Sequence, residues 1–241
     1  MAGLGYDEDV IERIVINPNP KELQPNDIPV YMEQRLFREI MGQTISGKFD
    51  FIGGGRVEDL KTTSVYTWIY GTKDEDYQLQ GSIHRWLDQG ERITEDNIAV
   101  QFWFTDWKAA SARTEKHYPP ESVITKEIPL LSLDDTETFI RDRLTEIAAN
   151  KDQPEQSLPD CTDKQLWRSA TIYKVKKSAT SAKAMPGGAK FDNPGDAYAF
   201  AQQKGGVVVE VPGAVKACGY CPAFIICTQK DRYIADGSLK I

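Results

Sequence analysis

Apolar and polar residues alternate with a period of two through much of residues 30–63, which is typical of strands with one buried face. The segment VYMEQRLFREIMGQTISGKFDFI (30–52) predicts a β-hairpin with its turn at residues 41–43. Three glycines (53–55) predict a second turn, and RVEDLKT (56–62) predicts a third strand. These strands are expected to form an antiparallel meander.

Helical spacing of apolar residues follows the meander. DYQLQGSIHRWLDQG (76–90) predicts a helix that a glycine ends, because its apolar residues recur at intervals of three and four. SLDDTETFIRDRLTEIAANK (132–151) predicts a second, amphipathic helix with Ser132 as its N-cap. Between the two helices, NIAVQFWFTDW (97–107) and SVITKEIPLL (122–131) each predict a strand.

Ahead of the meander, residues 7–16 predict a short helix that the sequence NPNP (17–20) ends. The expected order of helices and strands is typical of an α+β fold, with helices packed on a sheet. The character of the chain changes at NKDQPEQSLPD (150–160), a polar connector with two prolines. We therefore expect two parts, residues 1–153 and residues 154–241, and the second is expected to have little apolar core of its own.

Composition favours a globular protein. The 241 residues are 40% hydrophobic and 27% charged, and no apolar run reaches the roughly 18 residues of a membrane span. The first residues are acidic, where a secretory signal would be basic and then apolar. We expect a soluble, cytoplasmic protein. The net charge of −7 argues against a generally basic coat, but it permits a nuclease that gathers carboxylates around metal ions and keeps a local basic groove.

Candidate chemistry lies around the glycine turn. Side chains two apart on a strand share a face, so Asp59 and Lys61 are expected side by side, with Glu58 on the opposite face. If the strands on either side of the turn pair, Asp50 comes close to Asp59, and two like charges repel unless a cation lies between them. A cation such as Mg²⁺ would lower the pKa of a bound water, which Lys61 could orient or help to deprotonate. The pattern predicts phosphodiester hydrolysis, and a solvated strand face with a weak ion pair is the alternative.

The segments GKFDFIGGGRVEDLKTTS (47–64) and YQLQGSIHRWL (77–87) together resemble the RecB-like branch of the PD-(D/E)XK nucleases. In that family a Gly-x-x-Asp strand, an Asp/Glu-x-Lys strand and a helix with Gln-x-x-x-Tyr succeed one another. The resemblance implies a restriction-endonuclease-like core, in which helices flank a mixed β-sheet, with a small cysteine-rich C-terminal satellite.

The resemblance also implies roles for individual residues. Asp50 and Asp59 would bind Mg²⁺ or Mn²⁺ together with the carbonyl of Leu60. Lys61 would be the catalytic lysine, and Gln80 would contact the substrate or orient the site.

Two features of the family are matched less well. Its helix tyrosine falls on His84, which is either a hydrogen-bonding aromatic residue of the site or an ordinary helix histidine. The family also has a His or Glu ligand on an N-terminal helix. Glu33 matches a recurrent strand glutamate of the family and is the preferred candidate, ahead of Glu8, Asp9 and Glu12 on the first helix. The remaining alternative is that the usual N-terminal portion is lacking and the site is incomplete.

Three of the four cysteines, Cys218, Cys221 and Cys227, are grouped in CGYCPAFIIC. Without a secretion signal, four cysteines favour a metal or cluster site over disulfides. The spacing resembles that of RecB-like exonucleases that carry an iron–sulfur cluster. The family's fourth cysteine precedes the nuclease core, whereas Cys161 follows it and would have to fold back. Four thiolates suit Zn²⁺ or a [4Fe–4S] cluster, and the resemblance favours the cluster.

Two further segments carry aromatic residues. WRSATIYKVKKSATSAKA (167–184) mixes aromatic and basic residues, as expected either for a surface that follows a single nucleic-acid strand or for a solvated strand edge. Its basic residues are Arg168, Lys174, Lys176, Lys177 and Lys183. FWFTDWKAASA (102–112) contains Trp103 and Trp107, and we expect both to pack in the core and not to stack on bases.

The residues and the resemblance predict a metal-dependent DNA exonuclease of phage or bacterial recombination, repair or DNA processing. Its expected substrates are linear single- or double-stranded DNA ends, and its candidate partners are a helicase or a recombination protein. One alternative is a catalytically degenerate nuclease fold that binds DNA ends or a protein. Another is a structural-zinc protein in which Asp-x-Lys is fortuitous.

Overall fold

The computed structural model describes residues 7–187 and 189–240, and the chain divides into two units. The first unit ends at Ala148 and the second begins at Ala149, whereas the sequence placed the boundary after residue 153. None of the described helices is long and apolar enough to cross a membrane.

The first unit has an α+β fold, as the sequence predicted. Its strands are β1 (Ile14–Ile16), β2 (Ile28–Met32), β3 (Arg35–Ile40), β4 (Gln43–Lys48), β5 (Phe51–Gly53), β6 (Arg56–Thr63), β7 (Asn97–Phe104) and β8 (Val123–Pro129). Its helices are α1 (Glu8–Glu12), α2 (Val65–Tyr70), α3 (Asp74–Asp88), α4 (Ala109–Thr114) and α5 (Leu133–Asn150). A 3₁₀ turn spans Pro20–Glu22. Ser132 caps α5 as expected, because its hydroxyl accepts the Asp135 N–H at 3.0 Å.

Six strands form a mixed sheet in the order β1-β2-β5-β6-β7-β8. β6 and β7 run parallel, and α2 and α3 form the crossover that a parallel pair requires. β5 pairs antiparallel with β6 on one side, and β8 pairs antiparallel with β7 on the other. β3 and β4 form a separate two-stranded sheet.

The predicted hairpin over residues 30–52 is present and bent. β3 and β4 pair up to Ile40 opposite Gln43, and the turn between these residues has positive φ angles, as expected at 41–43. Pairing resumes between β2 and β5 beyond a break at Glu33, whose φ is 57°. The Glu33 N–H donates to the Asp50 carbonyl at 3.0 Å, which holds the two halves of the hairpin together.

The predicted first helix is wrong in its second half. α1 ends at Glu12, and Ile14–Ile16 forms β1, which pairs parallel with β2. Three consecutive β-branched residues favour a strand, and the edge of β2 supplies the hydrogen-bonding partners for it. Local helical spacing was therefore overridden by pairing with a distant segment.

α3 lies on one face of the sheet and completes the main core. The buried core residues are Tyr31, Phe49, Ile52, Val57, Val65, Tyr77, Ile93, Ile98, Val100, Phe102, Phe104 and Ile128. Gly81 allows the close approach of α3, because a Cβ there would meet Leu130 Cδ2 at 2.7 Å and Ile98 Cβ at 2.9 Å.

The two tryptophans, Trp103 in β7 and Trp107 in the loop that follows it, differ in burial. Trp107 packs against the main core, as expected. Trp103 is 50% exposed, so the expectation of core packing is wrong for it. It alternates with the buried Phe102 and Phe104 and therefore points to the opposite face of the sheet from theirs.

The second unit has more core than the sequence predicted. Its strands are β9 (Ile172–Lys176), β10 (Lys190–Phe191) and β11 (Val207–Val211), and its helices are α6 (Pro194–Lys204) and α7 (Gln229–Ala235). 3₁₀ turns span Glu155–Ser157 and Ala217–Tyr220. The strands form one sheet in the order β10-β9-β11. Two small apolar clusters are buried, one around Leu166, Val215 and Leu239, the other around Val175, Ala189 and Ala197.

We predict that Gly81→Val destabilises the first unit by about 1–3 kcal/mol, because the added methyl groups overpack the contact between α3 and β7. The free energy of unfolding from urea titration measures the effect. Ala148→Val, at an exposed position of α5, is the control and should cost only about 0.5 kcal/mol of helix propensity. Equal losses in the two variants would contradict the close packing described for Gly81.

Candidate active site

The candidate site lies where the pairing of β5 with β6 ends. The last pair is Phe51 opposite Glu58, and one further step of the register would set Asp50 opposite Asp59. The backbone ladder stops there, and the carboxylate of Asp50 accepts the Leu60 N–H through Oδ2 at 3.2 Å instead. Asp50 thereby satisfies a backbone donor that β5 leaves unpaired, and it is held at the same edge of β6 as Asp59.

Asp59 is held by two side chains. Gln80 of α3 donates from Nε2 to Oδ1 at 2.7 Å, and the Lys61 ammonium lies 2.5 Å from Oδ2. Only 6% of Asp59 is exposed, and among the described residues no group donates a well-formed hydrogen bond to Oδ2. A buried carboxylate needs a compensating positive charge, which here is the ammonium of Lys61.

Lys61 contacts the ring of Tyr77 on α3, for which the sequence predicted no role in the site. Its Nζ lies 5.7 Å from the centre of the Tyr77 ring, within range of a cation–π interaction. Burial raises the pKa of Tyr77, and the nearby charge of Asp59 raises it further, so the phenol stays neutral. The signal in the sequence is the spacing: Tyr77 precedes Gln80 by three residues and so shares its side of α3.

Glu58 points away from this cluster. It accepts from Arg56 at 2.9 Å and from Gln101 at 2.8 Å. The period of two along β6 separates it from Asp59, as the sequence predicted, and Asp59 alone of the two contacts Lys61.

A pocket of about 290 Å³ opens beside the two aspartates. Its lining residues are Met32, Glu33, Asp50, Phe51, Glu58, Asp59, Leu60 and Gln101. Glu33 lies at the bend between β2 and β3, where its side chain is exposed and forms an ion pair with Lys48. The candidate acids of α1, Glu8, Asp9 and Glu12, are exposed and are not among the described residues that line the pocket.

The donor atoms around this pocket fit a hard divalent cation by their chemistry. Four lining residues, Glu33, Asp50, Glu58 and Asp59, carry carboxylate oxygens, which Mg²⁺ and Mn²⁺ prefer as ligands. Both oxygens of Glu58 already accept hydrogen bonds from Arg56 and Gln101. The buried Oδ2 of Asp59 lies against the Lys61 ammonium and accepts no well-formed hydrogen bond from the described residues. Within the described ranges, no three His, Cys, Asp or Glu side chains already form a complete metal-binding group.

His84 is buried on α3 near the same cluster. Its ring makes an edge contact with Phe49, and a Cβ at Gly47 would lie 3.1 Å from Nδ1, so the glycine leaves room for the imidazole. Burial lowers the pKa of His84, an effect that the charges of Asp59 and Asp50 oppose in part. Nδ1 is buried and unpartnered within the described part of the chain. The side chain is therefore a neutral, buried histidine.

Cys161 folds back to the end of the second unit, next to the segment that carries Cys227. Its N–H donates to Oε1 of Gln229 at 3.1 Å. Six residues earlier, Glu155 accepts from both the N–H and the hydroxyl of Thr228 at 2.7 Å. These contacts join two stretches that lie far apart in the sequence.

All four thiols are free, and they lie within electrostatic reach of one another. Burial raises the pKa of Cys161, and the thiols of Cys227 and Cys221 raise it further. Burial also raises the pKa of Cys218, and the thiols of the other three cysteines raise it further. The neighbouring thiolates thus disfavour the ionised forms of Cys161 and Cys218, and a bound cation would reverse that effect. The donor set of four sulfurs fits Zn²⁺ or an iron–sulfur cluster.

No family model and no curated protein matches this chain. Among solved structures, one titled "Crystal structure of SSO0001" is 17% identical, with a TM-score of 0.33. The match covers 53% of this chain and 55% of that chain, so this chain spans about half the length of that structure. A likeness of this strength carries no argument about fold or function.

We predict that the stability of the first unit falls as the pH drops below 6.5, the ordinary pKa of histidine. Because burial lowers the pKa of His84 in the folded state, the unfolded chain binds a proton at a pH where the folded chain does not. His84→Phe should remove this part of the pH dependence of the unfolding free energy, as measured by urea titration at several pH values. His117, the other histidine, is exposed, so His117→Phe should keep the parental slope. The same slope in His84→Phe as in the parent would disprove the assignment.

Proposed function

We propose that this protein is a metal-dependent deoxyribonuclease with a restriction-endonuclease-like fold of the RecB-like PD-(D/E)XK kind. The observation that carries the proposal is the arrangement of Asp59, whose buried carboxylate lies between Lys61 and Gln80. The carboxylate of Asp50 is tied to the next backbone amide, that of Leu60, at the same edge of the sheet. An isolated ion pair on the surface would require neither a buried carboxylate nor a hydrogen bond from a glutamine of another element.

Asp50, Asp59 and the Leu60 carbonyl would hold Mg²⁺ or Mn²⁺ in this site. When bound, the cation supplies charge neutralisation and a water of lowered pKa. Gln80 orients Asp59 by occupying Oδ1, which leaves Oδ2 for charged partners. The Leu60 N–H fixes Asp50 in the same way through Oδ2, and Asp50 lines the pocket.

Lys61 would act directly on the phosphodiester. Its ammonium is held between Asp59 and the ring of Tyr77, so its position is set before substrate arrives. There it can donate a hydrogen bond from Nζ to a phosphate oxygen that gains charge in the transition state.

The resemblance to RecB-like exonucleases extends the proposal to cleavage from linear ends. It also supports a role in phage or bacterial recombination, repair or DNA processing, with a helicase or recombination protein as partner. A second candidate, a catalytically inactive nuclease fold that binds DNA ends or a protein, is favoured by one observation. The described residues that line the pocket include no acid from α1, where the family has a further ligand.

In the second unit, the four cysteines would hold a [4Fe–4S] cluster, with Zn²⁺ as the alternative. The contacts of Glu155 and Gln229 support this proposal, because they join the segment that carries Cys161 to Thr228 and Gln229, which follow Cys227 directly. We propose a structural role for this site, because a metal that bridges Cys161 and Cys227 would fasten together the two ends of the unit.

We predict that Asp59→Asn lowers DNA hydrolysis by roughly 100-fold or more, because it removes the negative charge that holds both a divalent cation and Lys61. The measurement is the cleavage rate of end-labelled linear DNA, single- and double-stranded, with Mn²⁺ or Mg²⁺ and with EDTA. Lys61→Ala should lose activity to a similar degree.

The matched control is Asp142→Asn, which makes the same change at an exposed position of α5 outside the pocket and should cleave at the parental rate. The proposal is wrong if Asp59→Asn and Lys61→Ala cut as fast as the parent. DNA binding without cleavage in the parent, unaffected by Mg²⁺ and by Asp59→Asn, would instead establish the inactive binding module.

We predict that Cys161→Ser and Cys227→Ser each lose the bound metal and make the second unit sensitive to proteases, because metal binding and folding of such a site are coupled. Anaerobic purification, visible absorbance and metal analysis measure the first effect, and limited proteolysis the second. A brown protein with iron and sulfide indicates the cluster, and a colourless one with zinc indicates the alternative. Ala223→Ser, between Cys221 and Cys227, is the control and should retain the metal. A parent protein that binds neither iron nor zinc would overturn this assignment.

A further inference from the structure

Basic residues are concentrated in one part of the second unit. Residues 164–191 contain seven lysines and arginines and no aspartate or glutamate. Over the whole chain, residues 1–148 hold 27 acidic and 16 basic residues, whereas residues 149–241 hold 9 acidic and 13 basic ones. The second unit is thus positive within a protein whose net charge is −7.

The sheet of the second unit arranges part of this charge on one face. Val175 in the middle of β9 is fully buried in the cluster that includes Ala197 of α6. Because side chains alternate along a strand, Lys174 and Lys176 point to the opposite face from Val175. Lys190 of β10 lies directly opposite Lys174 in the antiparallel register, so it shares that face.

A fourth lysine joins them from the loop before β10. Lys174, Lys183 and Lys190 line one pocket of about 670 Å³, and every other residue known to line it is alanine, methionine, proline or glycine. We call Lys174, Lys176, Lys183 and Lys190 the lysine face.

Within the described residues, no aspartate or glutamate forms an ion pair with any member of the lysine face. The acid of the neighbouring strand, Glu210, lies opposite Tyr173 in the register and therefore on the other face. Like charges directly opposite one another on an antiparallel pair destabilise it. Lys174 and Lys190 are such a pair, and their repulsion is relieved when an anion with several charges binds.

We infer that the lysine face binds the phosphodiester backbone of a nucleic acid without reading its sequence. Lysines supply mobile point charges that suit phosphates, and they give no pattern of donors that would distinguish bases. The choice of nucleic acid among polyanions rests on the proposed function, because a nuclease site in the same chain acts on a phosphodiester backbone. The lysine face adds a contact outside the catalytic pocket.

The test measures binding of fluorescent oligonucleotides, single- and double-stranded, to the full-length chain by anisotropy. Asp59→Asn is present throughout and divalent ions are absent, so that no cleavage occurs. The affinity is measured across a series of salt concentrations. Lys174→Gln with Lys190→Gln should weaken binding roughly tenfold and lower the slope of log K against log[salt] by about 1.4 for single strands or 1.8 for duplex.

The matched control is Lys204→Gln with Lys240→Gln, which removes the same net charge from exposed positions outside the lysine face. It should keep most of the affinity and slope. Circular dichroism confirms that each variant is folded. The oligonucleotide that the parent binds more tightly at the same salt concentration is the preferred form.

The inference is overturned if the lysine-face variant binds as tightly as its parent, or if the control variant loses as much. Binding to vesicles of phosphatidylserine and phosphatidylcholine in place of DNA would also overturn it. Failure of the proposed function is a separate result. If the chain with native Asp59 does not cleave DNA while the lysine face still binds it, only the nuclease proposal fails.

Discussion

The early end of the β5–β6 ladder is the constraint on which the candidate site depends. If pairing had continued past Glu58, the Leu60 N–H would have donated to the backbone of the paired strand. The carboxylate of Asp50 would then not have accepted this hydrogen bond. The bend at Glu33 carries the hairpin away from β6 and so ends the ladder. The pocket therefore lies where the backbone pairing ends, and Asp50 and Asp59 line it.

Around this opening, Asp59 and Lys61 are balanced by each other and by side chains of α3. Asp59 of β6 is matched by Lys61 of the same strand and by Gln80 of α3, and Lys61 in turn faces Tyr77. The close approach of α3, which Gly81 permits, is what brings the amide of Gln80 within 2.7 Å of a strand carboxylate. Packing and polar chemistry are thus coupled, since the glycine of the helix permits the hydrogen bond made by the residue next to it.

The sequence predicted the fold class and the convergence of Asp50, Asp59 and Lys61 because these depend on short-range rules. A glycine turn and a period of two set the register and the face. The predictions that were wrong concern residues whose structure depends on other segments of the chain. Ile14–Ile16 became a strand because β2 offers an edge, and Trp103 is exposed because the core lies on the other face of β7. Periodicity identifies two faces but does not say which of them a helix will cover.

The contact between Glu155 and Thr228, 73 positions apart, has a consequence for biosynthesis. Cys161 leaves the ribosome long before Cys227, so the four thiols cannot come together until the later segment has also been made. The first unit can fold while the second is still incomplete, as domains generally do during synthesis. Any metal that the cysteines hold must therefore be acquired late, by a chain whose first unit has already taken shape.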